Sequence, residues 1–172
     1  MSVRSIMQLG NPTLWKESQF VDDPTDVSTT HLIRDLRDTL IDFRERNGFG
    51  RGIAAPQVDE LCRVIYIRMP DDSFDGPLIN PEIIFRSDGR VELWDACFSL
   101  GDLMVRVSRA EHIQVEYTDA AGARKRLSAG GDFSELLQHE IDHLDGVLAV
   151  HRAISPKAFM LRPEWERQGR PR

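Results

Sequence analysis

Residues 138–143, with the sequence Gln-His-Glu-Ile-Asp-His, constrain this chain more than any other stretch. His139 and His143 are four residues apart and share one face of an α-helix, so both imidazoles can reach one metal ion. Glu140 is offset by one residue, where it can take a proton from a water molecule at that ion. The alternative explanation is a charged helix face that carries two histidines by chance. The motif by itself predicts two ligands and a base, which is not yet a complete site.

A site with two histidine ligands needs a third protein ligand and an open position. His151 is a poor candidate because it follows closely on Gly146, the residue predicted to end the helix. Cys97 follows a predicted strand and has small and polar neighbours, and its thiolate would complete a Cys/His/His set. Without the two histidines, Cys97 is better explained as a buried structural thiol.

The stretch 48–57, Gly-Phe-Gly-Arg-Gly-Ile-Ala-Ala-Pro-Gln, is the third informative segment. Its glycines permit close approach of the backbone and positive φ angles. It does not match a phosphate-binding loop, because Gly-Lys-Ser/Thr is absent and Ile53 replaces the third glycine of GxGxxG. A flexible connection between a helix and a strand explains the segment in isolation. Gln57 offers a second explanation, since its amide N–H can donate to a developing oxyanion.

In this order and at this spacing, the three segments resemble the motifs of the peptide deformylase family. The first family motif, Gly-x-Gly-φ-Ala-Ala-x-Gln, matches residues 50–57. The third, Gln-His-Glu-x-Asp-His-Leu-x-Gly, matches residues 138–146 in full. The second, Glu-Gly-Cys-Leu-Ser, falls on residues 95–99 with three differences. Weaker similarity extends the resemblance over roughly residues 5–160.

The resemblance implies a role for each residue of the site. Cys97, His139 and His143 bind the metal, and Glu140 is the general acid and base. The oxyanion donors are the Gln57 side chain and the Phe98 backbone N–H. The residues expected to contact substrate are Gly50, Arg51, Gly52, Ile53 and Ala96. The residues expected to support the ligands are Asp142, Asp95 and Arg109.

Four departures from the family motifs concern substrate recognition more than catalysis. Arg51 stands where the family usually carries Val or Ile, and it either binds an anionic substrate group or points to solvent. Asp95 replaces Glu and reaches about one methylene less far, so we expect it to pair with Arg109 or Arg106. Ala96 adds a Cβ beside the cleft, and Phe98 adds bulk at its rim.

The implied function is a metal-dependent hydrolase that removes the formyl group from the N-terminal formyl-methionine of newly synthesised proteins and releases formate. The implied cofactor is one divalent metal ion, Fe2+ in the cell, with Zn2+, Ni2+ or Co2+ in preparations. The implied partners are the formylated peptide N-terminus and, transiently, the ribosome. Three alternatives stay open: a divergent relative that hydrolyses another N-formyl or N-acyl amine, a non-enzymatic metal-binding domain, and a zinc endopeptidase.

Length and charge bound the remaining possibilities. A chain of 172 residues predicts one domain, residues 1–172, able to bury a core. The net charge of −6 without a basic block argues against binding nucleic acid through a broad cationic face. No apolar run approaches the roughly 18 residues of a membrane span. The N-terminus has the pattern of neither a signal peptide nor a transit peptide, which favours the cytoplasm.

Hydrophobic periodicity predicts a helix over residues 27–48 and a second over residues 132–146, with Asp132 or Ser134 as its N-cap. The remaining pattern predicts strands and turns, with the tail from about residue 163 solvated and frayed. The strands are expected at residues 63–69, 77–80, 82–86, 90–94, 112–119 and 124–130, the last two forming a hairpin. These elements predict an α+β domain in which mostly antiparallel β-sheets surround a central metal-binding helix.

Overall fold

Three α-helices and eight β-strands are found in the computed structural model, which describes residues 2–171. The helices are α1 (Val27–Asn47), α2 (Gly131–Leu144) and α3 (Arg162–Arg167). The strands are β1 (Gly52–Ala54), β2 (Val64–Arg68), β3 (Asp75–Arg86), β4 (Arg90–Ala96), β5 (Leu103–Ala110), β6 (His112–Thr118), β7 (Arg124–Gly130) and β8 (Phe159–Leu161).

The strands form two antiparallel sheets. The larger has the order β1-β2-β3-β6-β7, and the smaller has the order β4-β5-β8. The predicted hairpin is present as β6 and β7, paired from His112 opposite Gly130 to Thr118 opposite Arg124. The architecture is therefore the predicted α+β arrangement of antiparallel sheets with α2 between them.

Strand β2 is buried on both faces because a helix covers each side of the larger sheet. Ile65 and Ile67 point into one apolar cluster that includes Leu137 and Ile141 of α2. Val64 and Tyr66 point into another that includes Leu36 and Leu40 of α1. Since successive side chains of a strand alternate between faces, one short apolar strand joins the two cores. This packing places α2 in the interior of the domain.

Helix α1 has the ends and the apolar face that its sequence predicts. The Asp26 carboxylate accepts a hydrogen bond from the Ser28 N–H at 2.9 Å, and Gly48 follows the last turn with φ of 74°. Leu36 and Leu40 are fully buried. Charged side chains occupy most of the opposite face. Among residues 2–171, no helix is both long enough and apolar enough to cross a membrane.

Helix α2 begins earlier than predicted, and neither Asp132 nor Ser134 is its N-cap. Strand β7 runs directly into the helix through Gly131, whose φ of 55° makes the change of direction. The Gly131 N–H donates to the Glu111 carbonyl at 3.0 Å. The Ser134 hydroxyl donates to the Ala110 carbonyl at 2.9 Å instead of capping the helix. The start of α2 is thus fixed by the connection between β5 and β6.

Several strand predictions need correction. The strands predicted at residues 77–80 and 82–86 are one strand, β3, with an irregular register between Ile79 and Glu82. Asn80 lies at that irregularity with φ of 51°, and its side chain makes two 2.9 Å hydrogen bonds to the Val21 backbone. Strands β1, β5 and β8 were not predicted. The buried residues of β5 include Arg109. A charged residue at a buried position makes the sequence look like that of an exposed segment.

The tail expected to be solvated and frayed from about residue 163 has no buried residue among 163–171, but its start is helical. Residues Arg162–Arg167 form helix α3, with a proline in its first turn, a position that proline tolerates because the amide there has no helical partner. Strand β8 pairs with β5 immediately before this helix. The pairing anchors the segment to the smaller sheet.

The glycine after α2 provides a stability test. Gly146 has φ of 68°, and a Cβ added there would lie 2.7 Å from the Trp15 carbonyl oxygen. Gly48 has φ of 74° but open space around its Cβ position, so it is a matched control. Gly48→Ala should cost about 1–2 kcal/mol for the left-handed backbone alone. Gly146→Ala should lower the free energy of unfolding at least twice as much, as measured by urea denaturation. Equal losses would contradict the proposed backbone collision.

Candidate metal centre and its cavity

Cys97, His139 and His143 converge on one buried point, as predicted. Cys97 directly follows β4, and the two histidines lie on one face of α2. The possible ligand atoms of the three residues lie within 4.8 Å of one another, and Cys97 Sγ is 3.2 Å from His143 Nε2. One thiolate and two imidazoles suit Zn2+ and first-row transition metals, whereas Ca2+ and Mg2+ prefer oxygen ligands. The donor set therefore fits the predicted divalent metal.

Asp95 orients one of these ligands. Its carboxylate oxygens lie 2.8 and 2.9 Å from His139 Nδ1. We assign the proton of the imidazole to Nδ1, which leaves Nε2 for a metal. Burial alone would raise the pKa of Asp95, but His139 and Arg109 outweigh it and hold the pKa below its ordinary value. Asp95 is consequently a charged acceptor.

Arg109 connects Asp95 to a second carboxylate on α2. Arg109 is 3% exposed. Its guanidinium donates to Asp95 at 3.0 Å and to Asp142. Asp142 also accepts from Arg152 at 2.8 Å. The predicted pairing of Asp95 with Arg109 is confirmed, and Arg106 instead pairs with Glu92 on the surface at 3.3 Å. The shorter Asp side chain therefore reaches both the histidine and the arginine.

Glu140 faces the cavity with an unbonded oxygen. It is 3% exposed, and its Oε2 atom has no hydrogen-bond partner among residues 2–171. Burial raises the pKa of Glu140 to about 7. A Cβ at Gly52 would lie 2.7 Å from Glu140 Oε1, so this approach of strand to helix requires glycine.

The Gln57 side-chain amide lies beside Cys97 and is held in one orientation. Gln57 Oε1 accepts from the Ala54 N–H at 2.9 Å, which settles the orientation of the amide. Its Nε2 lies 3.1 Å from Ser99 Oγ and 3.5 Å from Cys97 Sγ. The amide N–H group is thus directed beside the thiolate ligand.

Phe98 is packed inward rather than standing free at the rim. Its ring stacks on Phe43 with a centroid distance of 3.8 Å. A Cβ at Gly50 would lie 2.6 Å from the same ring, so Gly50 makes room for it. Phe98 is also the first residue of a short 3-10 helix, Phe98–Leu100, whose first amide has no partner within the helix.

A cavity of about 860 Å³ opens onto Cys97, His139 and Glu140. Of the predicted substrate-contacting residues, four line it: Gly50, Arg51, Gly52 and Ala96. Ile53 is placed elsewhere. Its side chain is fully buried in the apolar cluster against α1, because it follows Gly52 on the opposite face of β1.

Arg51 neither points freely to solvent nor stands alone in the cavity. Its guanidinium contacts Glu135 at 2.8 Å and the Asp132 carbonyl at 3.3 Å. Glu135 and Asp132 also line the cavity, and neither was predicted from sequence to belong to the site. A signal was present, because Glu135 lies four residues before His139 and therefore on the same face of α2.

The C-terminal segment forms another wall of the cavity. The lining residues contributed by this segment are Arg162, Trp165, Arg170 and Pro171. The Arg162 guanidinium lies 3.9 Å from the centroid of the Phe49 ring, a cation–π distance. Sequence alone gave no signal for this wall, because arginines interleaved with glutamates resemble a solvated tail.

A family model described as polypeptide deformylase matches residues 3–159. The chain belongs to the polypeptide deformylase family. A peptide deformylase from Thermomicrobium roseum is 34% identical over 175 residues, covering 98% of this chain and 96% of the relative. Peptide deformylase 2 from a Nostoc species is 37% identical over 158 residues, covering 87% and 86%.

Solved deformylase structures have the same fold. The structure of a Legionella pneumophila peptide deformylase superposes with a TM-score of 0.82 at 32% identity and covers 99% of both chains. One from Synechococcus elongatus gives a TM-score of 0.83 at 28% identity, covering 98% of this chain and 87% of that one. The chain is therefore a metallohydrolase with a Cys/His/His metal site and peptide deformylase activity.

Asp95 provides a test of how the metal site is supported. Asp95→Asn keeps the shape but weakens the acceptor for His139 and leaves Arg109 partly uncompensated. We expect metal affinity to fall about 10–100-fold, measured by competition with a chelator. Glu92→Gln, on the same strand but half exposed, is the matched control. Equal metal affinity of both variants would show that Asp95 does not support the site.

Proposed function

We propose that this deformylase removes the formyl group from the N-terminal formyl-methionine of newly synthesised proteins, with Glu140 as its general acid and base. The observation that carries the assignment is the unbonded Oε2 atom of Glu140, buried beside the three metal ligands. We further propose that residues 1–172 form one catalytic domain, since both sheets pack against the helix that carries these groups.

The proposed ligands of one divalent ion are Cys97, His139 and His143, with Asp95, Asp142 and Arg109 holding them in place. When bound, such an ion acts as a Lewis acid that polarises a carbonyl and makes water more acidic. We propose Fe2+ as the ion used in the cell and Zn2+, Ni2+ or Co2+ as ions found in preparations. The mixed sulfur and nitrogen donor set supports each of these metals.

The proposed role of Glu140 follows from its position. Its free oxygen accepts the proton of the attacking water and later delivers it to the leaving amine, so formate and a free N-terminus are released. Gly52 lets strand β1 approach this carboxylate closely, because a Cβ there would lie 2.7 Å from Glu140 Oε1. The same carboxyl group therefore serves both proton transfers.

The proposed oxyanion donors are the Gln57 amide and the Phe98 backbone N–H. The Gln57 amide is held by Ala54 through its oxygen, so its NH2 side faces Cys97, where it can donate to a developing negative charge. The Phe98 amide begins a 3-10 helix and lies next to Cys97. Both donors are adjacent to the thiolate ligand, where the formyl oxygen would lie.

We infer that the substrate is a formylated peptide N-terminus, reached by transient contact with the ribosome in the cytoplasm. The open cavity beside the metal ligands supports a peptide substrate. A second candidate is hydrolysis of another N-formyl or N-acyl amine, which the charged Arg51–Glu135 wall of the cavity favours.

Replacing Glu140 tests the proposed proton transfers. Glu140→Gln keeps the volume but removes the base, so kcat for a formyl-Met peptide should fall about 10²–10⁴-fold while metal content stays at the wild-type level. Formate release and metal per chain are both measured, with the exposed Glu111→Gln variant as the control. Retention of more than a tenth of the wild-type kcat would contradict the assignment.

Replacing Gln57 tests the oxyanion donor separately. Gln57→Leu should lower kcat about 10²–10³-fold and change KM little, because the donor acts on charge that develops during the reaction. Ser99→Ala removes the hydroxyl beside Gln57 Nε2 but keeps the amide, so it should retain most of the activity. A loss confined to KM in Gln57→Leu would indicate substrate binding instead.

A further inference from the structure

One wall of the cavity carries an ion pair rather than an apolar surface. Arg51 and Glu135 contact at 2.8 Å, with 30% and 9% of their side chains exposed. Both residues line the cavity together with Asp132. A buried ion pair is costly to desolvate unless further hydrogen bonds satisfy its remaining donors and acceptors.

Each residue of the pair lies close in sequence to a residue of the metal centre or its surroundings. Glu135 precedes His139 by one helical turn, which corresponds to about 5–6 Å between Cβ atoms. Arg51 directly precedes Gly52, the residue in close approach to Glu140. The first side chain of a formylated peptide branches from the carbon next to the scissile amide nitrogen. In a substrate bound with its formyl group at the metal ligands, that side chain would enter the cavity, whose lining includes this pair.

The pair also retains hydrogen-bonding capacity of both kinds. Arg51 uses Nη2 for Glu135 and Nη1 for the Asp132 carbonyl, while the only Glu135 oxygen engaged in these contacts is Oε2. A guanidinium offers five N–H donors and a carboxylate about four acceptor positions. Because the two charges compensate each other, a neutral side chain with both a donor and an acceptor fits this wall better than an apolar or singly charged one.

We infer that Arg51 and Glu135 are specificity-determining residues that shift the preference for the first residue of the substrate from apolar side chains towards uncharged polar ones. The inference rests on the proposed function, since it concerns the substrate of the same site. Glutamine is the informative probe because its side chain has nearly the length of methionine but ends in a carboxamide. The hydrolysed bond and the release of formate stay the same.

The test compares kcat/KM for formyl-Met-Ala-Ser and formyl-Gln-Ala-Ser. Wild-type enzyme should prefer the Met substrate by less than about tenfold, whereas a hydrophobic pocket discriminates more strongly against a buried amide. The double variant Arg51→Leu, Glu135→Leu removes both charges together and leaves neither partner unpaired. It should increase the Met/Gln ratio at least tenfold. Arg63→Leu, Asp145→Leu removes a comparable ion pair beyond the other end of α2 and should leave the ratio within twofold of wild type.

The outcomes separate this inference from the proposed function. An unchanged Met/Gln ratio of kcat/KM in a folded, metal-loaded double variant would overturn the inference. Formate release by that variant would still support the proposed deformylase function. Absence of formate release from either peptide by metal-loaded wild-type enzyme would overturn both. If the double variant does not fold, the inference is tested on wild-type enzyme instead. The affinities of the product peptides Met-Ala-Ser and Gln-Ala-Ser are then measured by calorimetry. Weaker binding of the Gln peptide by more than tenfold would then overturn the inference, and similar affinities would support it.

Discussion

The buried polar side chains of α2 impose the constraint on which the other parts of the site depend. Almost the whole helix is buried, although much of it is polar, and such groups are costly unless each finds a partner. Ser134 and Gln138 bond to the Ala110 backbone, His139 to Asp95, and Asp142 to Arg109. These contacts tie β4 and β5 to the helix, so the strand leading to Cys97 is positioned by the same bonds that satisfy α2.

Asp95 and Arg109 show that a shorter acid at the motif position can keep the same contacts with a histidine and an arginine. In the family motif the residue two before the cysteine is Glu, and the chain has Asp, yet the carboxylate still contacts both His139 and Arg109. The two residues lie on paired strands, β4 and β5, but four positions apart in register, since Asp95 pairs with Val105 and Arg109 pairs with Val91. Arg109 has a long side chain and compensates for the shorter acid. The cost of changing either residue alone is large because the other charge stays buried.

Residue patterns predicted the metal site well because its ligands obey local rules, whereas the cavity walls depend on tertiary contacts. The i, i+4 spacing is enough to place His139 and His143 on one helical face. The role of Glu135 followed from the same spacing but was missed, because a charged residue on a helix is ordinarily solvated. Strand β5 was missed because Arg109 interrupts its apolar alternation, and no local signal distinguishes a buried arginine from an exposed one. Helix α3 is brought to the cavity by tertiary contacts, the pairing of β8 with β5 and the Arg162–Phe49 contact.

The balance of charge around the site explains why Arg51 and Glu135 behave as one unit. Three buried carboxylates, Asp95, Glu135 and Glu140, lie around the two histidines, and their mutual repulsion adds to the effect of burial in raising the pKa of Glu140. Arg109 compensates Asp95, and Arg51 compensates Glu135. An apolar residue in place of Arg51 would remove a positive charge that lowers the pKa of both Glu135 and Glu140, so both pKa values would rise. The arginine in the first motif and the glutamate one turn before the metal ligand therefore require each other, and the polar cavity wall is the consequence.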